Sequence, residues 1–144
     1  MIALASDHGG YALKKAVKQH LDERNIPYKD FGCFSEASVD YPDMAKLACD
    51  AVVGGECEKA LLFCGTGIGI SMAANKVKGI RAACCSDYFS AKYTRLHNDA
   101  NALCLGGRVV GPGLAIELVD VFLDTPFEGG RHEGRIAKIH ALEK

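Results

Sequence analysis

Residues 60–71, with the sequence ALLFCGTGIGIS, constrain the fold of this chain more than any other stretch. The apolar run at residues 60–63 has the length and continuity of a strand covered on both faces, as in parallel sheets. Glycines at positions 65, 67 and 69 then allow a sharp turn and expose backbone N–H groups. A helix that starts after such a turn directs unpaired amides and its positive dipole end toward one point. The stretch therefore predicts a strand, an anion-binding turn and a helix start, with Cys64 and Thr66 at the rim.

The glycine spacing alone is weak evidence for a binding site. Gly-x-Gly-x-Gly is not the Gly-x-Gly-x-x-Gly pattern of dinucleotide-binding proteins. In the alternative interpretation, the glycines only close a tight connection between strand and helix. The polar residues beside the turn favour the binding interpretation.

Strand-like and helix-like segments alternate along the chain, which is typical of an α/β fold with a parallel sheet between two layers of helices. We predict five strands, at residues 1–6, 26–31, 60–63, 79–85 and 102–105. We predict helices at residues 11–23, 40–53, 87–96 and 131–144, one that ends near residue 75 and one that begins near residue 111. In the first helix, Leu13, Val17 and Leu21 form the buried face, and Lys14, Lys15 and Lys18 the exposed face. In the last helix, Ile136, Ile139 and Leu142 form the apolar stripe.

Length and composition limit the classes of protein to consider. The 144 residues predict a single domain, residues 1–144, with one core. A net charge of −1 gives no general attraction to nucleic acid or to acidic membranes, so an anionic ligand needs a local cluster of charge. The sequence has no signal-peptide pattern, no apolar run of about 20 residues, and an odd number of cysteines, seven, without a Cys-x-x-Cys pair. These features predict a cytoplasmic protein.

Two polar groups follow predicted strands directly. Asp7 and His8 follow the first strand, and Cys64 and Thr66 follow the third. Ligands of such sheets bind beyond the carboxyl ends of the strands, so we expect these groups to meet if the first and third strands are neighbours. Taken alone, Asp7 and His8 are explained equally well by a helix cap and an incidental histidine.

Cys64 is the one cysteine whose position favours chemistry. Amides at a helix start stabilise a thiolate, which makes the sulfur a usable base or nucleophile. The other six cysteines are predicted to be small core residues, at positions 33, 49, 57, 84, 85 and 104.

Later in the chain, His97-Asn98 ends a predicted helix, and Arg131 and Arg135 share a face one helical turn apart. The paired guanidinium groups suit a phosphate, with Arg108 and His132 as possible helpers. As isolated features, a helix-dipole contact for His97 and a solvated face for the arginines are the simpler interpretations. No grouping along the sequence has the spacing of metal ligands, so no metal is predicted.

Six blocks of the chain occur together in one order: Asp7-His8-Gly9-Gly10, Asp40-Tyr41-Pro42-Asp43, Cys64-Gly65-Thr66-Gly67-Ile68-Gly69, Ala73-Ala74-Asn75-Lys76, His97-Asn98-Asp99-Ala100-Asn101 and Arg131-His132-x-x-Arg135. Nearly end to end, they resemble the type B ribose-5-phosphate isomerase family, which includes galactose-6-phosphate isomerase. The resemblance implies a three-layer Rossmann-like α/β/α fold and an aldose–ketose isomerase of phosphorylated sugars. It also implies that the enzyme uses no metal or other cofactor, and forms a dimer or a dimer of dimers whose sites take residues from two subunits.

The resemblance also implies the catalytic roles. Cys64 is similar to the base that moves a proton between C2 and C1, with Thr66 as its polar assistant. Asp7 and His97 are similar to the ring-opening residues, and His97 is expected to reach the site from the partner subunit. The negative charge of a cis-enediolate is expected on the backbone of Gly65, Gly67, Ile68 and Gly69. One branch of the family has a glutamate at the position of Ile70 and no such cysteine, so this chain resembles the cysteine branch.

The remaining roles concern binding. Asn98 is similar to a substrate-binding residue, and His8, Arg108, Arg131 and Arg135 are similar to phosphate contacts. The expected reaction interconverts D-ribose 5-phosphate and D-ribulose 5-phosphate.

Three alternatives stay open at this point. The substrate could be another phosphorylated sugar, such as galactose 6-phosphate, allose 6-phosphate or a tetrose phosphate. The chain could be a non-catalytic nucleotide-binding module, which the missing Gly-x-Gly-x-x-Gly after the first strand disfavours. It could also be one subunit of a hetero-oligomeric isomerase that is inactive alone.

Overall fold

A computed structural model describes residues 1–143 of the chain. Within this range the strands are β1 (Ile2–Ser6), β2 (Tyr28–Asp30), β3 (Lys59–Cys64), β4 (Ala82–Cys84) and β5 (Ala102–Gly106). The helices are α1 (Tyr11–Glu23), α2 (Tyr41–Val53), α3 (Ile68–Ala74), α4 (Tyr88–Asn98), α5 (Pro112–Asp124) and α6 (Arg131–His140). Every predicted strand and helix is present, so the predicted α/β class is confirmed. No helix in the described range has both the length and the apolar character required to cross a membrane.

The five strands form one parallel sheet in the order β2-β1-β3-β5-β4. The expected adjacency of β1 and β3 is therefore confirmed, with Ser6 paired to Phe63. On the other side of β3, Cys64 pairs with Gly106. The edge strands β2 and β4 have only three residues each, shorter than predicted, which limits the unpaired backbone that they expose.

The two faces of the sheet carry side chains of different size. Leucine and phenylalanine side chains of the central strands pack against α1, α4 and α5. Alanine, cysteine and single leucine side chains pack on the other face, against α2 and α3. Because side chains alternate along a strand, Phe63 and Cys64 belong to different faces. Cys64 thus lies on the face of small residues, beneath the start of α3.

One predicted exposed residue is fully buried. Lys14 has no exposed side-chain area, and its ammonium donates hydrogen bonds to Asp30 Oδ1 at 2.9 Å and to the carbonyl of Cys33 at 2.5 Å. Helical periodicity placed Lys14 on the solvent side, but β2 and the loop after it cover that side of α1. The prediction was wrong because Asp30, which pairs with Lys14, lies in a different element. Its carboxylate compensates the buried charge of the Lys14 ammonium.

The predicted burial of Cys84 and the predicted end of the last helix were also wrong. Cys84 is exposed, because it ends the edge strand β4, where no further strand covers it. The last helix ends at His140, so Leu142 of the predicted apolar stripe lies beyond it, and Ile139 and Leu142 are 45% and 79% exposed. Lys144, the predicted end of that helix, lies outside the described residues.

Candidate active site

Three glycine-containing turns meet at the carboxyl ends of β1, β3 and β5. A Cβ on Gly10 would lie 2.3 Å from the carbonyl carbon of Phe63, and one on Gly107 would lie 2.5 Å from the carbonyl oxygen of Gly9. A Cβ on Gly106 would lie 2.6 Å from the backbone of Thr66. Real Cβ atoms do not approach so closely. The glycines therefore let the three turns pack into one surface, which carries the polar groups that follow the strands.

Cys64 is held at the centre of this surface. Its side chain is 4% exposed, and the N–H of Gly67 donates a hydrogen bond to its Sγ at 3.1 Å. Gly67 has a φ of 79°, a left-handed conformation that glycine adopts readily, and it begins α3. The turn thus places an amide N–H within hydrogen-bond distance of the sulfur.

The other N–H groups of the turn divide into two sets. The N–H of Ile68 donates to Thr66 Oγ1 at 3.2 Å, so it is used within the turn. Among residues 1–143, no protein acceptor bonds the N–H groups of Gly65, Thr66 or Gly69. These groups, rather than Gly67 and Ile68, are available to a negatively charged ligand.

Asp7 and His8 lie beside this turn. The N–H groups of Gly9 and Gly10 donate to Asp7 Oδ1 at 2.9 and 3.1 Å. These bonds close the turn before α1, whose cap residue is Gly10, so Asp7 is not the helix cap. His8 Nδ1 accepts a hydrogen bond from the N–H of Val39 at 3.3 Å. A neutral imidazole with its Nδ1 so occupied carries its proton on Nε2, which makes Nε2 a donor.

Arg108 lies beside the turn at residues 64–69, which we call the cysteine turn. Its backbone N–H donates to the carbonyl of Gly65 at 3.0 Å, and its guanidinium Nη1 lies 3.2 Å from the position of a Cβ on Gly65. The side chain is exposed. Arg108 can therefore contact an anion bound over the turn.

Sequence reasoning missed Tyr41 as a residue of this surface. Its ring lies against Gly69, with its hydroxyl oxygen 3.0 Å from the position of a Cβ on that glycine. The block Asp40-Tyr41-Pro42-Asp43 was part of the resemblance, but as a helix start it gave Tyr41 no role of its own. The structure makes it one wall of the cysteine turn.

The remaining predicted site residues lie at the opposite edge of the sheet. α4 follows β4 and returns the chain to the start of β5, so His97 and Asn98 at its end lie at the amino ends of the strands. Arg81, just before β4, fixes this end of α4 by donating from Nε to the carbonyl of Asn98 at 3.0 Å. Strand β3 alone, with six residues, separates the two edges by about 20 Å. His97 and Asn98 therefore do not meet Cys64 of the same chain.

Arg131 and Arg135 belong to this second edge as well. They lie in the first turns of α6, and His132 between them stacks on His97 with ring centroids 4.2 Å apart. Both arginines are exposed. One chain therefore carries the predicted site residues in two separate groups: a cysteine edge with Asp7, His8, Cys64, Thr66 and Arg108, and a histidine edge with His97, Asn98, Arg131 and Arg135.

The histidine edge contains one group that sequence spacing did not indicate. Glu128 Oε2 lies 3.9 Å from His97 Nε2, and Glu128 Oε1 lies 3.8 Å from His132 Nε2. His132 is buried, and in residues 1–143 its Nε2 has no hydrogen-bond partner. Burial, helped by the nearby His97 and Arg131 side chains, lowers the pKa of His132. His97 and Glu128 are far apart in sequence, so only the fold brings them together.

The other cysteines divide by burial. Desolvation raises the pKa of Cys49 and of Cys85 to about 12, so both stay protonated and inert, as small core residues do. Exposed Cys84 instead approaches the cysteine turn, with its Sγ 3.1 Å from the position of a Cβ on Gly67.

The fold and the cysteine edge define an α/β protein with a thiol and free amides at the carboxyl ends of its strands. A family model described as Ribose/Galactose Isomerase matches residues 2–139. The chain is 53% identical over 144 residues to a putative sugar phosphate isomerase, YwlF, of Bacillus subtilis, with 99% of this chain and 97% of the relative covered. It is 48% identical to ribose-5-phosphate isomerase B of Escherichia coli, with 99% and 96% covered.

Solved structures agree with these relatives. Ribose-5-phosphate isomerase B of Clostridium thermocellum superposes with a TM-score of 0.97 at 50% identity, covering 98% of this chain and 95% of that one. The enzyme of Mycoplasma genitalium with bound ribulose-5-phosphate superposes with a TM-score of 0.91 at 44% identity, covering 97% and 93%. The chain belongs to the type B ribose-5-phosphate isomerase family and is an isomerase. The resemblance and the Rossmann-like α/β fold that it implied are confirmed.

Proposed function

We propose that the protein interconverts D-ribose 5-phosphate and D-ribulose 5-phosphate through a cis-enediolate, with Cys64 as the base. The observation that carries this proposal is the amide hydrogen bond from Gly67 to Cys64 Sγ at 3.1 Å, beside N–H groups that are free for an oxyanion. Relatives that cover nearly the whole chain and carry the name ribose-5-phosphate isomerase B support the substrate.

The proton transfer follows from this arrangement. The Cys64 thiolate takes the proton from C2 of the open-chain aldose, and the electron pair of that bond forms the enediolate. The N–H groups of Gly65, Thr66 and Gly69 stabilise the negative charge that develops on oxygen, which makes the carbon acid strong enough for a thiolate. The proton of the C2 hydroxyl moves to O1, and the thiol returns its proton to C1, so that C2 becomes the carbonyl of the ketose. The Thr66 hydroxyl contacts the substrate oxygens during the transfer.

Ring opening must precede that step, because the sugar binds as a furanose. One group removes the proton of the anomeric hydroxyl, and another donates a proton to the ring oxygen. Asp7 and His97 supply this pair in the proposal. His97 is 37% exposed at its edge, so its ring can reach a ligand.

Side chains from both edges bind the phosphate. His8 Nε2 and Arg108 donate from the cysteine edge, and Arg131 and Arg135 donate from the histidine edge. Asn98 binds a sugar hydroxyl. Guanidinium groups suit this role because their planar N–H donors match phosphate oxygens.

Because the two edges lie far apart in one chain, we propose that a second copy of the chain completes each site. In a symmetric dimer the cysteine edge of one subunit faces the histidine edge of the other, which creates two equal sites. The working unit is then a cytoplasmic homodimer of 144-residue domains, and a dimer of two such dimers keeps the same sites.

The substrate is tested by comparing kcat/KM for ribose 5-phosphate with the values for allose 6-phosphate, galactose 6-phosphate and erythrose 4-phosphate. The distance between the phosphate cations and Cys64 selects sugar length, so we expect ribose 5-phosphate to have the highest value. A higher value for a six-carbon or four-carbon sugar would reassign the substrate within the same chemistry. Tight binding of NAD or ATP without any isomerase activity would favour a nucleotide-binding module instead. Activity of the single purified chain excludes an obligate hetero-oligomer.

A further inference from the structure

His97, Glu128 and His132 at the histidine edge offer three ligand atoms that all lie within 4.8 Å of one another. We propose that these three residues bind a transition-metal cation of the Zn²⁺ type, and that the bound metal inhibits the isomerase. The binding rests on the geometry alone. The inhibition also rests on the proposed function, in which His97 opens the sugar ring.

The distances within the cluster are wrong for hydrogen bonds and close to those around a metal. The two N···O separations, 3.9 Å from His97 and 3.8 Å from His132, exceed the upper limit of a good hydrogen bond. In a four-coordinate zinc site with bonds of about 2.0–2.2 Å, neighbouring ligand atoms lie about 3.4 Å apart. A contraction of about half an ångström at each N···O contact, with an approach of the ligand atoms that now lie up to 4.8 Å apart, therefore changes the cluster into a ligand set.

His132 gives the independent reason to expect a ligand here. Its side chain is 4% exposed, and its Nε2 has no partner within residues 1–143, although it faces the Glu128 carboxylate. A buried nitrogen without a partner loses the hydrogen bonds of water and gains nothing in return. A metal ion bonded to Nε2 removes that cost.

The cluster also has the freedom to close around an ion. The rings of His97 and His132 stack with an interplanar angle of 16°, so the His97 ring must tilt out of the stack before both Nε2 atoms can point to one ion. His97 and Glu128 are 37% and 47% exposed, and both side chains can move toward the ion. The same exposure leaves a coordination position open to water, as in zinc sites with three protein ligands.

The donor set decides which metals suit the site. Two imidazoles and one carboxylate favour Zn²⁺, Co²⁺, Ni²⁺ or Cu²⁺ over Mg²⁺ and Ca²⁺, which prefer oxygen ligands. Arg131 and Arg135 lie on the same helix as His132. Their positive charge disfavours cations that are held only by electrostatic attraction. The site therefore selects metals that bond strongly to imidazole.

Metal binding and catalysis exclude each other at His97. The Nε2 lone pair that bonds the metal is no longer available to move a proton in ring opening. Zn²⁺ therefore lowers the rate of reaction of the cyclic sugar, and a chelator restores it.

The binding is tested by titrating Co²⁺ into the full chain without a histidine tag. The absorption spectrum of bound Co²⁺ depends on its ligands. We expect visible d–d bands that saturate at one Co²⁺ per chain, without the near-ultraviolet band of a thiolate ligand. Glu128→Gln keeps the size of the side chain but weakens Co²⁺ binding about tenfold or more. The matched control is Glu133→Gln, because Glu133 is an exposed acid in the first turn of α6, the helix that carries His132, and lies outside the cluster. It should bind Co²⁺ as the wild type does.

The inhibition is tested by titrating Zn²⁺ into the isomerase assay with ribose 5-phosphate. We expect E128Q to need about tenfold more Zn²⁺ than the wild type or E133Q for half-inhibition. Equal Co²⁺ affinity of E128Q and wild type, a thiolate band, or no binding would overturn the metal site while leaving the proposed function intact. Normal Co²⁺ binding by a chain without isomerase activity would instead overturn the proposed function and keep the metal site.

Discussion

Cys64 differs from the buried core cysteines in what contacts its sulfur. The Gly67 N–H donates to Cys64 Sγ, whereas desolvation, together with the charge of Asp50, raises the pKa of Cys49 to about 12. A sulfur that receives an amide hydrogen bond can hold the charge of a thiolate, and a sulfur in purely apolar surroundings stays protonated. At the scale of single residues, one donor separates a proposed base from a packing residue of the same type.

This difference predicts opposite results for the two cysteines. Cys64→Ala should lower kcat for ribose 5-phosphate by about 10²–10⁴-fold, the usual contribution of a general base, while the substrate still binds. Cys49→Ala should leave kcat unchanged and lower the free energy of unfolding by about 1 kcal/mol, because it removes a buried sulfur. Formation of ribulose 5-phosphate and urea unfolding measure the two quantities. Near-normal turnover of the Cys64 variant would remove Cys64 from the role of base.

At the scale of elements, a buried ion pair joins α1 to β2. Asp30 accepts hydrogen bonds from Lys14 at 2.9 Å, from Lys18 at 3.0 Å and from the N–H of Gly32 at 2.9 Å. Burial alone would raise the pKa of Asp30, but these donors outweigh it and hold the pKa below its ordinary value of 3.8. The loop that follows β2 continues to Val39, whose N–H orients His8. The ion pair thus stabilises a segment that supports the proposed phosphate site.

The lowered pKa of Asp30 predicts how stability depends on pH. The unfolded chain binds a proton at Asp30 at higher pH than the folded chain does, so this stabilisation is complete above about pH 5 and is lost as the pH falls below about 4. Asp30→Asn should lower the free energy of unfolding by about 3 kcal/mol at pH 7, because the buried ammonium of Lys14 loses its partner. The variant should also lose stability less steeply than the wild type between pH 5 and 3.

Urea unfolding at a series of pH values measures both effects. The control is Asp50→Asn, because Asp50 pairs with Lys46 on the surface, where the two side chains are 52% and 70% exposed. Exposed pairs contribute little, so this variant should follow the wild type at every pH. Equal acid sensitivity of the wild type and the Asp30 variant would show that another group controls the loss of stability.

Lys14 and Glu128 also show where sequence reasoning ends. Periodicity within a segment predicted the strands and helices, and the polar residues after β1 and β3 predicted the cysteine edge. Contacts between segments distant in sequence could not be predicted in this way, because hydropathy carries no information about the partner. Lys14 was therefore placed on the wrong face, and the contact of Glu128 with His97 was missed. Strand order was open beyond β1 and β3, so only the resemblance indicated a shared site.

At the scale of the whole molecule, the parallel sheet separates the two sets of polar residues. Every strand runs in the same direction, so residues that follow strands gather at one edge and residues that end crossover helices gather at the other. Asp7 and Cys64 belong to the first edge, and His97 belongs to the second. No rotation of side chains within one subunit closes a gap of about 20 Å, the length of a six-residue strand.

A site shared between two subunits predicts that two inactive variants restore each other. Cys64→Ala damages the cysteine edge and His97→Asn the histidine edge, so each homodimer should be inactive. After subunit exchange in an equal mixture, half of the dimers contain one chain of each kind. In each mixed dimer, one site carries both defects and the other carries none. The mixture should therefore recover about one quarter of wild-type activity.

The recovery depends on mixed dimers, so native mass spectrometry must first count them. If each site were built within one chain, every site in the mixed dimers would contain either the Cys64 or the His97 substitution. That arrangement predicts no activity, even where mixed dimers are present. A site that joins Cys64 of one subunit to His97 of the other predicts activity in proportion to the number of mixed dimers. The activity of a fully mixed sample consequently decides whether the two edges of the sheet act in one chain or across the interface.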